Sequence, residues 1–160
     1  MKNFSKRIII YILIVALIVA TDMTTKFLLE GADFNVLSGI FSFVSTHNYG
    51  AAFGILQDSR IFFIIISVIM FSVLIYIYTK YNPKNKWYDA GMLLVLAGGL
   101  GNFIDRLFLG YVRDFIKLDF INFAIFNIAD SALTIGTICL VIYTLFYYSA
   151  AEAKNETNRK

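Results

Sequence analysis

IFFIIISVIMFSVLIYIYT, residues Ile61 to Thr79, runs for nineteen residues without a charged side chain. An α-helix needs roughly 20 apolar residues to cross a bilayer core of about 30 Å, so this stretch has the length and composition of a membrane span. Ser131 to Ala151 is a second uncharged run, of twenty-one residues. Two further apolar segments carry only a few charges. The sequence therefore predicts an α-helical membrane protein with four transmembrane helices, at about 8–29, 61–79, 87–104 and 131–151.

The composition agrees with this fold class. The chain has 160 residues, of which 59% are hydrophobic and only 16% charged, and its mean hydropathy is +0.71. Soluble domains carry about 25% charged residues. The length predicts a single integral membrane domain over residues 1–160. One cysteine and one histidine exclude multi-cysteine and multi-histidine metal motifs, and no phosphate loop or basic aromatic tract is present. We therefore expect no cofactor, no metal and no nucleic acid.

The N-terminus has features of both a signal peptide and a membrane span. Lys2, Lys6 and Arg7 precede the uncharged run from Ile8 to Thr21. A cleaved signal peptide needs a small-residue cleavage site, and none precedes Asp22. The chain beyond that point is equally apolar. We interpret the segment as an uncleaved first span.

Lysine and arginine residues are distributed unevenly over the segments that join the spans. Nine of the fourteen lie at the N-terminus, in the loop between spans two and three, or in the C-terminal tail. Basic residues favour the cytoplasmic side, so both termini are predicted to be cytoplasmic and segments 30–60 and 105–130 extracytoplasmic. Phe34 to Gln57 mixes β-forming residues with Gly, Ser, Thr and Asn. That mixture predicts short strands with turns, forming a small β-sheet on the membrane face.

Polar residues cluster near the outer ends of the spans, while the middle of every span is uncharged. Ionisable groups at membrane depth are costly and are functional candidates by default. Asp114 and Asp130 are the most informative of them. If the two carboxyl groups converge, they can share one proton and supply both a general base and a general acid. The wider cluster contains Asp22, Lys26, Asn48, Asn102, Asp105, Arg106, Asp114, Asn127 and Asp130.

Five short motifs occur in order from the first span to the fourth. They are Asp22-x-x-x-Lys26, Asn48-Tyr49-Gly50-Ala51-Ala52-Phe53-Gly54, Gly101-Asn102-Phe103-Ile104-Asp105-Arg106, Val112-Arg113-Asp114-Phe115 and Phe126-Asn127-Ile128-Ala129-Asp130. On these motifs the chain resembles the lipoprotein signal peptidases, also called type II signal peptidases. The resemblance implies a membrane-embedded aspartyl endopeptidase that removes the signal peptide from bacterial prolipoproteins, cutting just before a cysteine that carries diacylglycerol.

The resemblance also implies the roles of individual residues. The catalytic pair corresponds to Asp114 and Asp130. The residues implied to support the site or bind the substrate are Asn48, Asn102, Arg106 and Asn127. Asp22 and Lys26 are implied to be structural or to lie near the substrate. Two features depart from the family pattern: position 113 is Arg where a small apolar residue is common, and the stretch between the two aspartates is slightly short.

Further expectations come with the family. They are a location in the bacterial cytoplasmic (inner) membrane with the active site at the extracytoplasmic face, a mobile outer segment over the site, contact with membrane lipid, and binding of globomycin-type inhibitors. Nothing in the sequence requires more than a monomer. We also expect Phe53, Ile55 and Phe115 to line a substrate groove.

Plainer interpretations of the same residues stay open. Asn127 or Asp130 can cap the fourth helix. Asp114 can be a solvated loop charge paired with Arg113 or Lys117. Asp22 and Lys26 can form a structural ion pair or a lipid headgroup anchor. For the remaining residues we expect close helix packing at Gly98, Gly99 and Gly101, a packing role for Cys139, an outer-loop position for His47 and a helix-end position for Asp89.

Two other functions are compatible with four spans and a few carboxylates. A small ion-coupled transporter predicts a carboxylate deep within a span, and the sequence has none there. A non-catalytic scaffold would not require two aspartate motifs at the same end of the helix bundle.

Overall fold

The computed structural model describes residues 2–50, 55–81 and 83–148, and within them it has four long helices and one small sheet. All four helices are long and apolar enough to cross a membrane, so the predicted fold class is confirmed. In chain order the elements are α1 (Lys2–Leu28), β1 (Asp33–Leu37), β2 (Phe41–Asn48), α2 (Arg60–Tyr81), α3 (Lys86–Phe108), β3 (Val112–Leu118) and α4 (Ile128–Tyr143), the last continued by a π-helical segment at Thr144–Tyr148.

Two helices extend further toward the sheet than the sequence predicted. α3 continues to Phe108 and α4 begins at Ile128. Asp105, Arg106 and Asp130 are therefore helix-end residues and do not belong to the segment that joins the helices. The polar character of these residues had suggested a loop, but a charged side chain is tolerated in the last helical turn when it has a partner. The predicted end of the fourth span, Ala151, lies outside the described residues.

Helix α3 forms the centre of the bundle and packs against α1, α2 and α4. Its glycines allow this close approach. A Cβ atom on Gly99 would lie 2.5 Å from Met70 Cε of α2, and one on Gly101 would lie 2.6 Å from Asp22 Oδ2 of α1. A Cβ atom on Gly98 would collide with the carbonyl oxygen of Ala129 in α4. The predicted packing role of these three glycines is confirmed.

The sheet is antiparallel with strand order β1-β2-β3. β1 and β2 lie within the segment predicted to form short strands. β3 was not predicted, because it buries Asp114 together with Val112 and Phe115 and so breaks the alternation of polar and apolar residues. In the register of β2 and β3, Thr46 lies opposite Asp114 and Asn48 opposite Val112.

The chain returns to β3 before it enters α4. The backbone N–H of Ile116 donates to the carbonyl oxygen of Phe126 at 2.8 Å, and the Phe126 N–H donates back to Ile116 at 3.1 Å. This pairing places Asn127 and the first turn of α4 beside Asp114.

Candidate active site

Asp114 lies in the middle of β3 and is buried, with only 2% of its surface exposed. Its Oδ2 accepts a hydrogen bond from Asn48 Nδ2 at 3.0 Å, and its Oδ1 accepts one from Asn127 Nδ2 at 2.6 Å. The alternative of a solvated loop charge is wrong. The side chains suggested as its partners bind elsewhere: Arg113 lies 2.7 Å from Asp105 and Lys117 lies 3.6 Å from Asp119.

The environment of Asp114 disfavours its ionised form. Burial and, to a smaller extent, the nearby charge of Asp130 raise the pKa of Asp114 to about 7. The hydrogen bonds from Asn48 and Asn127 and the positive charge of Lys26 act in the opposite direction but do not cancel this effect. A carboxyl group with such a pKa is able to hold or release a proton near neutral pH.

Asp130 is the third residue of α4 and takes part in a capping box with Asn127. The Asn127 side chain accepts a hydrogen bond from the Asp130 N–H at 2.8 Å, and Asp130 Oδ2 accepts one from the Asn127 N–H at 3.2 Å. The capping interpretation is therefore correct. The capping box uses only the Oδ2 atom of the Asp130 carboxylate. The Oδ1 atom accepts a hydrogen bond from Asn102 Nδ2 at 2.7 Å.

Two asparagines connect the carboxyl groups of Asp114 and Asp130. Asn127 is fully buried and donates both to Asp114 and, at 3.1 Å, to Asn102 Oδ1. Asn102 in turn donates to Asp130. The aspartates, which are sixteen positions apart in the sequence, are thus joined through side chains from α3 and from the start of α4.

Both aspartates line one cavity of about 600 Å³. Its polar wall contains Asn48, Asn102 and Arg106, and its apolar wall comes from β3, from the segment before α4 and from α4 itself, through Val112, Leu118, Phe123, Ala124, Ile125, Phe126, Leu133 and Ile135. A cavity of this size with a few convergent polar groups has the character of a ligand site.

The expected groove residues do not form this wall. Phe115 is buried in the sheet with its ring centroid 5.9 Å from that of Phe43, and it is absent from the described cavity lining. Ile55 is 62% exposed and does not line the cavity either. Phe53 lies outside the described residues. The error arose because Phe115, next to Asp114 in sequence, points to the opposite face of the strand.

Arg106 borders the cavity from the last turn of α3. Its Nη2 donates to the carbonyl oxygen of Gly50 at 2.9 Å, and its guanidinium lies 4.5 Å from the centroid of the Phe63 ring. Arg60 holds the same helix end, since it donates to the carbonyl oxygens of Arg106 and Leu107 at 2.9 and 2.7 Å. Arg106 therefore presents a fixed positive charge beside both carboxyl groups.

Asp22 and Lys26 lie behind the site and do not line the cavity in the described residues. Both are about 1% exposed, and the Lys26 ammonium lies 2.8 Å from Asp22 Oδ2. Their structural ion pair is as expected. The alternative of a headgroup anchor is wrong, because the ammonium is buried within the protein. Asp22 also accepts a hydrogen bond from the N–H of Ala129 at 2.8 Å and so caps α4 together with Asn127.

Comparisons with known proteins identify the family. The family model described as signal peptidase (SPase) II matches residues 14–146. The lipoprotein signal peptidase of Enterococcus faecalis (strain V583) is 43% identical over 160 residues, an alignment that covers 96% of this chain and 99% of that protein. The one from Streptococcus pyogenes serotype M5 is 45% identical over 138 residues and covers 83% of this chain and 91% of its own. A solved structure described as a bacterial membrane enzyme superposes with a TM-score of 0.78 at 38% identity, covering 94% of this chain and 91% of that one.

The chain belongs to the signal peptidase II family. It is therefore a membrane peptidase.

In this signal peptidase II the structure adds one contact that the sequence did not predict. Asp105 accepts hydrogen bonds from the Arg113 backbone N–H at 3.0 Å and from its Nη2 at 2.7 Å. Asp105 is only 1% exposed and also lies 3.3 Å from the Lys26 ammonium. Arg113 was noted as a departure from the family pattern. An unusual charge beside a buried strand was itself a signal that a buried counter-charge is near.

Three other residues considered in the sequence analysis do not line the cavity. His47 is exposed on β2, bonds Glu30 at 2.6 Å and stacks on Tyr111. Asp89 is in the first turn of α3 and pairs with Arg7 at 2.6 Å. Cys139 is buried in α4. In the described part of the chain, no group of three His, Cys, Asp or Glu side chains is arranged as a metal site.

Proposed function

We propose that this signal peptidase II removes signal peptides from diacylglyceryl-modified bacterial prolipoproteins, with Asp114 and Asp130 as its catalytic pair. The observation that carries the proposal is the convergence of the two carboxyl groups on one cavity, where Asn127 and Asn102 connect them. The relatives in Enterococcus and Streptococcus, named as lipoprotein signal peptidases, support the substrate class.

The geometry suits aspartyl chemistry. Two carboxyl groups in a poorly hydrated site disfavour double ionisation, so the pair holds one proton near neutral pH. The ionised member removes a proton from water, and the water oxygen attacks the scissile carbonyl carbon. The protonated member donates to the carbonyl oxygen. When the tetrahedral intermediate collapses, the C–N bond breaks and the leaving nitrogen takes a proton from the pair.

Arg106 and the amide side chains support this reaction. Arg106 and Asn48 lie on the cavity wall, where a positive charge and an N–H group are able to stabilise the developing oxyanion. Their contacts with Gly50 and Asp114 fix them before the substrate arrives. Little reorganisation is then needed during the reaction.

The lining of the cavity supports a lipid-modified substrate. One of its walls is the outer end of α4, through Leu133, Thr134 and Ile135, so a signal helix lying in the bilayer reaches the carboxyl groups from the side. The acyl chains of the modified cysteine stay in the lipid. Phe123, which lines the cavity, is 48% exposed, and Phe120 and Ile121, which precede it in the chain, are 62% and 47% exposed, which suits contact with membrane lipid.

The orientation follows from the basic residues. The bias of lysine and arginine supports cytoplasmic termini and a site on the extracytoplasmic face of the bacterial cytoplasmic membrane. Globomycin-type inhibitors would occupy the same cavity, and a monomer is sufficient because one chain supplies both aspartates. The proposal of one domain over 1–160 stays a prediction.

The test is cleavage of a synthetic prolipoprotein peptide by the purified full chain in detergent. We expect the peptide carrying a diacylglyceryl cysteine to be cut directly before that cysteine, as read by mass spectrometry, and the unmodified peptide to be cut poorly. Asp114→Asn and Asp130→Asn should each lower kcat by about 10²–10⁴-fold, the usual contribution of a general acid or base.

The control is Asp33→Asn, which makes the same chemical change at an exposed residue of β1. It should cleave at the parent rate. Undiminished cleavage by Asp114→Asn or Asp130→Asn would refute the catalytic assignment. Equal cleavage of the modified and unmodified peptides would refute the substrate assignment alone.

A further inference from the structure

Lys26 is a buried cation with three partners in the protein. Only 1% of its surface is exposed. Its ammonium lies 2.8 Å from Asp22 Oδ2 and 3.3 Å from Asp105 Oδ2, and it donates to Asn102 Oδ1 at 3.1 Å. One group on α1 therefore binds a residue of its own helix and two residues of α3.

Two of these partners hold Asp130 in place. Asp22 Oδ1 accepts the backbone N–H of Ala129, the residue directly before Asp130, at 2.8 Å. Asn102 Nδ2 donates to Asp130 Oδ1 at 2.7 Å. The position of the α4 terminus and the direction of the Asp130 carboxyl group thus both depend on groups that Lys26 binds.

The third partner holds the strand that carries Asp114. Asp105 accepts the backbone N–H of Arg113, the residue directly before Asp114, at 3.0 Å and the Arg113 guanidinium at 2.7 Å. The contacts around Lys26 therefore reach the backbone neighbour of each aspartate.

We propose that Lys26 is a positioning residue, which fixes the two carboxyl groups of the proposed catalytic pair relative to each other through Asp22, Asn102 and Asp105. The inference rests on the proposed function, because it assigns Lys26 a part in the reaction of that same pair.

The Asn102 amide shows how this works. An amide has one acceptor and one donor end, and its two orientations differ only in which end faces which neighbour. Donation from Lys26 and Asn127 to Oδ1 leaves Nδ2 directed at Asp130. Without the ammonium, the Oδ1 atom keeps only the bond from Asn127, so the amide is held less firmly. A displaced carboxyl group then costs rate even when the fold is intact.

The charge of Lys26 also acts on Asp114. The groups that face Asp114 are Asn48 from β2, Asn127 and Asp130 from the α4 terminus, Arg106 from α3 and Lys26 from α1, with the Asp105–Arg113 pair beside them. The positive charge of Lys26, like the hydrogen bonds from Asn48 and Asn127, lowers the pKa of Asp114. Removing this charge alone should therefore raise the pKa of Asp114.

The test must separate positioning from simple charge balance. Lys26 and Arg113 balance Asp22 and Asp105, so Lys26→Met alone would leave a buried carboxylate without its counter-charge. The double variant Lys26→Met/Asp22→Asn restores neutrality. The asparagine that replaces Asp22 keeps an oxygen that accepts the Ala129 N–H, so the α4 cap is retained.

We expect the double variant to unfold near the parent Tm and to lose about 10²-fold in kcat with little change in KM. Asn102→Ala, which leaves the ion pairs intact, should lose kcat to a similar extent. A double variant with parental kcat would overturn the proposal, and so would parental kcat in Asn102→Ala. If the double variant does not fold, Asn102→Ala decides alone.

The matched control is Arg7→Met/Asp89→Asn, which removes an ion pair between the same two helices at the other end of the bundle. It should lower Tm and leave kcat and KM at the parental values. Failure of the inference is distinguishable from failure of the proposed function, because Asp114→Asn and Asp130→Asn are assayed in parallel. Loss of cleavage in those variants with full activity in Lys26→Met/Asp22→Asn rejects only the role of Lys26.

Discussion

Replacing Asp114 by Asn should change the stability of the protein in a pH-dependent way. Burial and the nearby charge of Asp130 raise the pKa of Asp114 from 3.8 to about 7. Between these two pH values the folded protein keeps a proton on Asp114 that the unfolded chain has released. The stability of the parent protein therefore falls as the pH rises through this window, and the loss is complete above about pH 7.

The size of the effect follows from the pKa difference. One pKa unit corresponds to about 1.4 kcal/mol, so ionised Asp114 destabilises the folded state by about 4 kcal/mol above pH 7. Asp114→Asn removes this penalty. It also replaces an oxygen that accepts from Asn48 or Asn127 with an N–H₂ group, which leaves a buried donor unsatisfied and costs about 1–3 kcal/mol.

The two contributions have different pH dependences. At pH 8 the variant should be more stable than the parent by about 1–3 kcal/mol, whereas at pH 4 only the lost hydrogen bond counts and the variant should be less stable by a similar amount. For chains of this size about 2–4 °C of Tm corresponds to 1 kcal/mol. The Tm of the variant minus that of the parent should thus increase by about 8–16 °C between pH 4 and pH 8.

Thermal unfolding in detergent, followed by intrinsic fluorescence, measures this difference directly. Subtracting the parent curve at each pH cancels the titrating groups that do not interact with Asp114. Asp33→Asn, which makes the same chemical change at an exposed position, is the matched control. A pH-independent difference for Asp114→Asn, or one that decreases toward pH 8, would refute the conclusion that Asp114 is protonated in the folded protein up to neutral pH.

Two further substitutions test the packing and the hydrogen bonds of the site. Gly101→Ala places a Cβ atom 2.6 Å from Asp22 Oδ2, so we expect a loss of about 1–3 kcal/mol, measured by thermal unfolding; an unchanged Tm would show that α1 and α3 move apart freely. Asn127→Ser keeps a capping oxygen for α4 but removes the amide donor to Asp114, so kcat should fall at least tenfold while helix content by circular dichroism is retained; parental kcat would mean that the cap alone matters.

The helices of this fold could be predicted from the sequence because their signal is local. Runs such as Ile61 to Thr79 are uncharged over the length of a membrane span, and in water-free surroundings a helix satisfies its own backbone groups. β1 and β2 were also predictable from composition. β3 was not, because its pattern depends on what packs against it: the buried Asp114 is stable there only because Asn48 and Asn127 bind it.

The site could be predicted only in part for the same reason. Its member residues are visible as polar groups at the ends of apolar runs. Their pairings are not, since Lys26 and Asn102 or Asp105 and Arg113 meet through tertiary packing. The short spacing between Asp114 and Asp130 also has a structural explanation, because the chain pairs with β3 again at Phe126 and needs no longer loop.

A capping role and a catalytic role for Asp130 do not exclude each other. In the capping box one carboxylate oxygen is held by the Asn127 N–H, and this contact fixes the rotamer of the side chain. The other oxygen is thereby directed at Asn102 and the cavity. A cap is rigid because it satisfies backbone groups that otherwise lack partners, and rigidity is what a proton-transferring group requires. The stability of the α4 terminus and the geometry proposed for catalysis therefore come from the same hydrogen bonds.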